Sequence, residues 1–177
     1  MHEPINEWLG ALRQDGEAAE AALEKLYEAC YQPVFLLAVS ITGEAGAAED
    51  VAQEVFITLK KQAARYIPGR SGRAWIAAIT RNISRYALRT ARAEQKKYQT
   101  EEPAAAFDKQ VLDGILISDA MDRLNSREYR IVLLHVFGGY TLREIAVYTE
   151  TAYGTVLWQY HEARKKLRQY YERSAAD

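Results

Sequence analysis

From Glu17 to Thr42 the apolar residues fall three and four positions apart, with Leu23, Leu26, Tyr27, Cys30, Val34, Leu37 and Ile41 on one side. That period matches the turn of an α-helix and predicts an amphipathic one. Pro33 interrupts the pattern and predicts a kink or a restart there. A shorter helix is expected from Asn6 to Leu12, with Gly16 as punctuation before the long one. Gly43 and Gly46 bracket a turn, after which Ala47 to Ala64 forms a helix with Val51, Val55, Phe56 and Leu59 inward. Pro68-Gly-Arg-Ser-Gly72 reads as a loop. A long helix then runs from Arg73 to about Lys97, its apolar side carrying Trp75, Ile76, Ile79 and Ile83, with Trp75 as a core anchor.

The apolar period breaks between Tyr98 and Asp108, which reads as an interdomain linker with solvated acidic residues. Helices are expected again from Leu112 to Leu124, Ser126 to Phe137, Leu142 to Thr149 and Ala152 to Glu172. Asn125 with Glu128, and Thr141 with Glu144, have the spacing of a capping box. Gly138-Gly139 ends the helix before the second box. The division is therefore 1–97, a linker at 98–111, and 112–177.

Composition sharpens the class without changing it. Few Gly and Pro, abundant helix formers, and no alternating β-branched run predict an all-α fold of two small helical domains. Cys30 is the single cysteine, so no intramolecular disulfide forms, and it reads as a small buried hydrophobe. The acidic N-terminus does not resemble a signal peptide, and the longest apolar runs are too short to span a bilayer. A soluble, cytoplasmic chain without membrane insertion is expected.

Charge changes the picture more. The net charge of −1 conceals a segregation: residues 1–57 sum to −9, residues 58–97 to +10, and residues 98–177 to −2. A phosphate backbone senses charge within a Debye length of roughly 8–10 Å, so the middle block is a credible nucleic-acid surface despite the total. Arg81, Arg85, Arg89 and Arg92 share one helical face there, with Asn82 beside them, and Arg70, Arg73, Lys96 and Lys97 extend the patch. Glu94 is the only acidic residue in that block. Arginine forks meet phosphate bidentately, which makes nucleic-acid contact the expected role. Just upstream, Glu49, Asp50, Gln53 and Glu54 occupy adjacent turns of the preceding helix and cannot all point inward.

Two motifs give these faces a context. Ala48-Glu-Asp-Val-Ala-Gln-Glu-Val-Phe56, followed by Ala74-Trp-Ile-Ala-Ala-Ile-Thr-Arg-Asn82, resembles the core of bacterial RNA polymerase sigma factors of the extracytoplasmic-function group. Thr141-Leu-Arg-Glu-Ile-Ala146 with Gly154-Thr-Val156 resembles the helix-turn-helix of their C-terminal domain, and the likeness spans roughly residues 20–172. The resemblance implies an N-terminal sigma-2-like bundle in which Glu49, Asp50, Gln53, Glu54 and Phe56 dock the clamp of the largest polymerase subunit. It implies −10 promoter contact by Arg73, Arg81, Asn82, Arg85, Arg89 and Arg92. It implies a sigma-4-like unit reading the −35 element through Arg143, Tyr153, Thr155, Trp158, Gln159 and Arg164. The partners are then core RNA polymerase, promoter DNA and, where the cell makes one, an anti-sigma factor.

The C-terminal motif also departs from that family. Glu150 stands where the turn normally has Gly, and Ala152 replaces the usual Ser. Leu157, Trp158 and Gln159 replace a basic and hydroxyl-bearing run. Trp158 is expected on the exposed face, since it lies on the side of the helix that should meet DNA. Two rivals follow: a helix-turn-helix regulator independent of polymerase, and a degenerate sigma-like protein that does not read a −35 element in the usual way. His135 and His161 have no ligand partners at metal spacing, and no nucleophile elbow or phosphate loop is present. Neither enzyme activity nor a metal or cofactor is expected.

Overall fold

In a computed structural model, which describes residues 4–97 and 118–174, the chain divides into two units, 1–104 and 105–177. In the first, α2 (Glu17–Thr42) is the central helix and packs against α1 (Ile5–Ala11), α3 (Ala45–Gln62) and α4 (Gly72–Lys97). Its first half is amphipathic, burying Ala22, Leu26 and Cys30. From Leu36 to Ser40 every residue is buried, because neighbours surround it. The hydroxyls that enter this region are satisfied locally: Ser40 Oγ donates to the Leu37 carbonyl at 2.8 Å, and Thr42 Oγ1 to that of Ala38 at 3.1 Å.

Of the kink or restart expected at Pro33, the restart does not occur; α2 runs through the proline from Glu17 to Thr42. An interior proline costs about 3 kcal/mol. Burial of Val34, Leu36 and Leu37 on either side of the other helices contributes about 1.5–3 kcal/mol each, which outweighs it. Gly43, at φ 82°, then caps α2 in the left-handed conformation and turns the chain into α3. A single 3₁₀ turn, Ala63–Arg65, and the loop to Ser71 lead into α4.

The second unit contains α5 (Ser118–Met121), α6 (Ser126–Val132), α7 (Leu142–Tyr148) and α8 (Tyr153–Ser174). Both expected capping boxes form. Asn125 Oδ1 accepts from the N–H groups of Arg127 and Glu128 while Glu128 returns a bond to the Asn125 N–H, and Thr141 and Glu144 repeat the arrangement. The helix predicted through Phe137 is α-helical only to Val132. A π turn, Leu133–Phe137, follows, closed by the Gly138 N–H on the Leu133 carbonyl at 3.0 Å. Gly138 is required at its end, since a Cβ there would lie 2.8 Å from the Leu134 carbonyl oxygen. The linker at 98–111 and the expected helical start at 112–117 lie outside the described residues. Among the described residues, all regular structure is helical, and no helix is long and apolar enough to cross a membrane.

Candidate polymerase and nucleic-acid interfaces

Helix α3 is divided lengthwise. Ala48, Val51, Ala52, Val55 and Leu59 are buried, and this seam leaves Glu49, Asp50, Gln53 and Glu54 together on the outer face, all exposed. Phe56, assigned by resemblance to the same docking set, is buried, as its helical spacing predicted, its ring 4.9 Å from that of Tyr27 on α2. It faces the seam and supports the acidic surface from beneath. Tyr27 continues into a row with Tyr31 and Phe35, one helical turn apart, with ring centroids 5.1 and 6.1 Å from one to the next. Burial, then the neighbouring Tyr27 and Glu49, push the Tyr31 hydroxyl above its ordinary pKa.

Helix α4 is positioned from two sides. Asn6 Oδ1 on α1 accepts from the Gly72 N–H at 2.8 Å, and Ser71 Oγ accepts from that of Ala74 at 3.3 Å, satisfying N–H groups that the first turn leaves open. The buried stripe is Ile76, Ala77, Thr80 and Ser84, with Ile79 and Ile83 only half-buried. Small hydroxyl residues fit here because each donates to its own helix, Thr80 Oγ1 to the Ile76 carbonyl at 2.9 Å and Ser84 Oγ to that of Thr80 at 2.8 Å. Trp75 is not the core anchor expected. It is half-buried and packs on Tyr66 at 5.5 Å, whose hydroxyl donates to the Arg70 carbonyl at 2.8 Å, so the pair braces the preceding loop.

On the opposite side of α4 stand Asn82, Arg89 and Arg92, exposed, with Arg81 and Arg85 half-buried on the same flank. Arg73 is not brought to this crest. Sixteen positions before Arg89, it lies about 160° around the helix and is half-buried. Tyr86, which the sequence reading passed over, rises from the middle of the crest at 66% exposure. Its signal was available: it lies four residues after Asn82 and three before Arg89.

In the second unit, α7 and α8 form the helix-turn-helix. Glu150 at the turn has φ 51°, the only positive φ at a non-glycine position among the described residues. The left-handed conformation the turn needs is thus kept without the glycine that would adopt it freely. Val156, Gln159 and Ala163 make the inward seam of α8. Gln159, expected to read bases, is therefore a packing residue, 7% exposed, because it falls three residues after Val156 and four before Ala163. Tyr153, Thr155, Trp158 and Arg164 are exposed, Trp158 at 62%, as expected for the outer face. The Arg143 guanidinium lies over the Tyr153 ring at 5.1 Å and that of Arg164 over the Tyr160 ring at 5.8 Å. Tyr160 meets the His135 ring edge-on at 4.9 Å, and His135 Nδ1 lies 2.7 Å from the Tyr140 carbonyl oxygen. His135 thus has the packing role expected of it.

One ion pair orients α8, and spacing alone could not reveal it. The Glu128 carboxylate, already the return arm of a capping box, lies 2.7 and 2.8 Å from Lys166 Nζ and is buried. Arg130, two residues further on, is held below its ordinary pKa by burial and then by Arg127. Among the described residues, no group of His, Cys, Asp and Glu is placed to hold a metal.

The Sigma-70 region 2 family matches residues 26–94, which takes in α3 and the crest of α4. The Sigma-70, region 4 family matches residues 115–167, which takes in the helix-turn-helix. The ECF RNA polymerase sigma factor SigL of Mycobacterium tuberculosis is 31% identical over 160 residues, covering 85% of this chain and 90% of that protein. SigE of Mycolicibacterium smegmatis is 25% identical over 189 residues, covering 99% of this chain and 72% of its own. In fold, the chain is similar to CnrH, solved in complex with the cytosolic domain of CnrY, with a TM-score of 0.58 and 18% identity over 96% of this chain and 98% of that one. It is equally similar to the sigma factor RpoE solved with the anti-sigma factor NepR from Bartonella quintana, with a TM-score of 0.58 and 19% identity over 82% and 94% of the two chains. Both regions, in order and on these folds, place the chain in a single family: it belongs to the extracytoplasmic-function RNA polymerase sigma factors.

Proposed function

We propose that this chain binds core RNA polymerase and directs it to promoters, dividing the work between its units. Residues 1–97 dock the polymerase clamp through Glu49, Asp50, Gln53 and Glu54 and hold the −10 region with Asn82, Arg85, Arg89 and Arg92. Residues 98–111 link the units, and residues 112–177 meet the −35 region through Arg143, Tyr153, Thr155, Trp158 and Arg164. The observation that carries this reading is one three-helix packing of α2, α3 and α4 that exposes an acidic face on α3 and a basic crest on α4. Opposite charges on adjacent helices of one small unit suit two partners of opposite charge, a protein and a nucleic acid.

The chain itself does no chemistry in this scheme; it lends promoter recognition to the polymerase, in the cytoplasm where the polymerase works. An anti-sigma factor is the natural inhibitor, as in the solved RpoE complex. A second reading, in which −35 recognition is lost, is favoured by one feature: from Tyr153 to Tyr160 α8 carries no charged side chain. The test is transcription in vitro with purified core polymerase and this chain on a genomic promoter library. Start sites sharing −10 and −35 elements support the first reading, a −10 element alone supports the second, and no promoter-specific start removes both.

A further inference from the structure

We infer that Trp158 is a specificity-determining residue that packs on a thymine methyl group, so that A·T pairs mark the −35 element this chain selects, a role that rests on reading α8 as the helix that enters the −35 duplex. At about 100° per residue, Gly154, Trp158, His161 and Lys165 lie within about 60° of one another around α8. All four are exposed, and they face away from the buried seam of Val156, Gln159 and Ala163. At Gly154, one turn before Trp158, nothing lies within 4 Å of where a side chain would stand. The indole, 62% exposed, is therefore the side chain that the first two turns of this crest put forward.

The first turns of a recognition helix touch base edges, and in the major groove each base offers them different groups. Guanine is read by the charged ends of Arg or Lys, and adenine by the amides of Asn or Gln. This end of α8 supplies neither. The first Arg or Lys of the helix is Arg164, about 9 Å of rise beyond Trp158. The amide at this end, Gln159, is buried. What remains is an apolar ring with a single N–H donor. It matches thymine, whose C5-methyl lies beside the O4 acceptor, and it does not match cytosine, which lacks the methyl and shows a donor there. Further along, the exposed Arg164 and Lys165 are left for phosphates, which hold the helix without choosing a sequence.

The experiment measures binding of core polymerase with the full-length chain to the strongest promoter that this holoenzyme selects from a genomic library. Each thymine of the −35 element is replaced in turn by uracil, which pairs identically and lacks only the methyl group. Binding is expected to weaken about fourfold at the thymine under Trp158, as the loss of one buried methyl predicts. Trp158→Ala should weaken the thymine promoter by a similar factor and bind its thymine and uracil forms alike. Trp158→Phe, which keeps an apolar ring, should keep the preference. A −35 element of G·C pairs alone, or one whose thymines are replaced without effect, overturns the proposal and leaves −35 reading intact. A uracil effect as large in Trp158→Ala as in the wild type places the methyl contact elsewhere and also overturns it. If the selected promoters share a −10 element but no −35 element, −35 reading falls and the proposal with it. Circular dichroism checks the fold of each variant, and the uracil substitutions, which change only the DNA, test methyl reading whatever a variant does to the protein.

Discussion

Asn6 Oδ1 accepts the Gly72 N–H at 2.8 Å, so a side chain near the start of the chain caps the basic helix 66 residues later. A Cβ at position 72 would lie 2.6 Å from Leu9 Cδ1 and 2.7 Å from Asn6 Oδ1. Glycine is kept there by close approach, since α1 sits directly on the first turn of α4. Gly72→Ala must push aside the Leu9 and Asn6 side chains, or α1 with them, and is expected to cost about 1–3 kcal/mol. Asn6→Ala removes the bond alone and should cost about 1 kcal/mol. Urea unfolding followed by the fluorescence of Trp8 and Trp75 measures both; a neutral Gly72→Ala would mean that the Leu9 and Asn6 side chains give way freely, and a neutral Asn6→Ala that the bond does not hold α4.

The acidic face of α3 is exposed along its whole length, so reversing charge there should spare the fold. The double variant Asp50→Lys, Glu54→Lys is expected to melt like the wild type and to fail to co-purify with core polymerase. Stoichiometric co-purification of a folded double variant would remove the docking role from this face.

At the turn of the helix-turn-helix, Glu150 holds φ 51°. A side chain in the left-handed region costs about 1–2 kcal/mol, part of which glycine returns as greater freedom of the unfolded chain. Glu150→Gly is thus expected to stabilise the second unit by about 0.5–1 kcal/mol, visible as a higher unfolding midpoint reported by Trp158. Destabilisation would show that the Glu150 side chain contributes more than its backbone conformation costs.

Lys166 supplies the counter-charge to a carboxylate that water does not reach. Lys166→Met would leave Glu128 buried with its capping bond alone, and a loss of about 2–3 kcal/mol is expected. Glu128→Gln, Lys166→Met together should recover much of it, because no charge is then buried. A double variant as unstable as the single one would place the cost in packing around Lys166.

Trp158 touches solvent over most of its surface, so Trp158→Ala should change stability by no more than about 0.5 kcal/mol. Promoter-specific transcription, or binding of an inhibitor protein, is expected to fall, since an aromatic ring of this size is a main source of interface energy. Unaltered function in both assays would return Trp158 to the solvent.

Helix content, the two units, both capping boxes and the outward turn of Trp158 were legible in the sequence because each depends on local spacing. A period of 3.6 residues selects a helix, and a side chain three positions from a helix start either reaches the open N–H groups or does not. The same spacing put Glu49, Asp50, Gln53 and Glu54 on one face, and Arg81, Arg85, Arg89 and Arg92 on another. What spacing cannot supply is the neighbour opposite. Burial from the other helices carried α2 through Pro33, drew Gln159 into the seam of α8, and let Thr80 and Ser84 line the core in place of Trp75. The Asn6–Gly72 bond and the Glu128–Lys166 pair join residues 66 and 38 positions apart. No local period carries such a pairing; it exists only once packing has brought the two helices together.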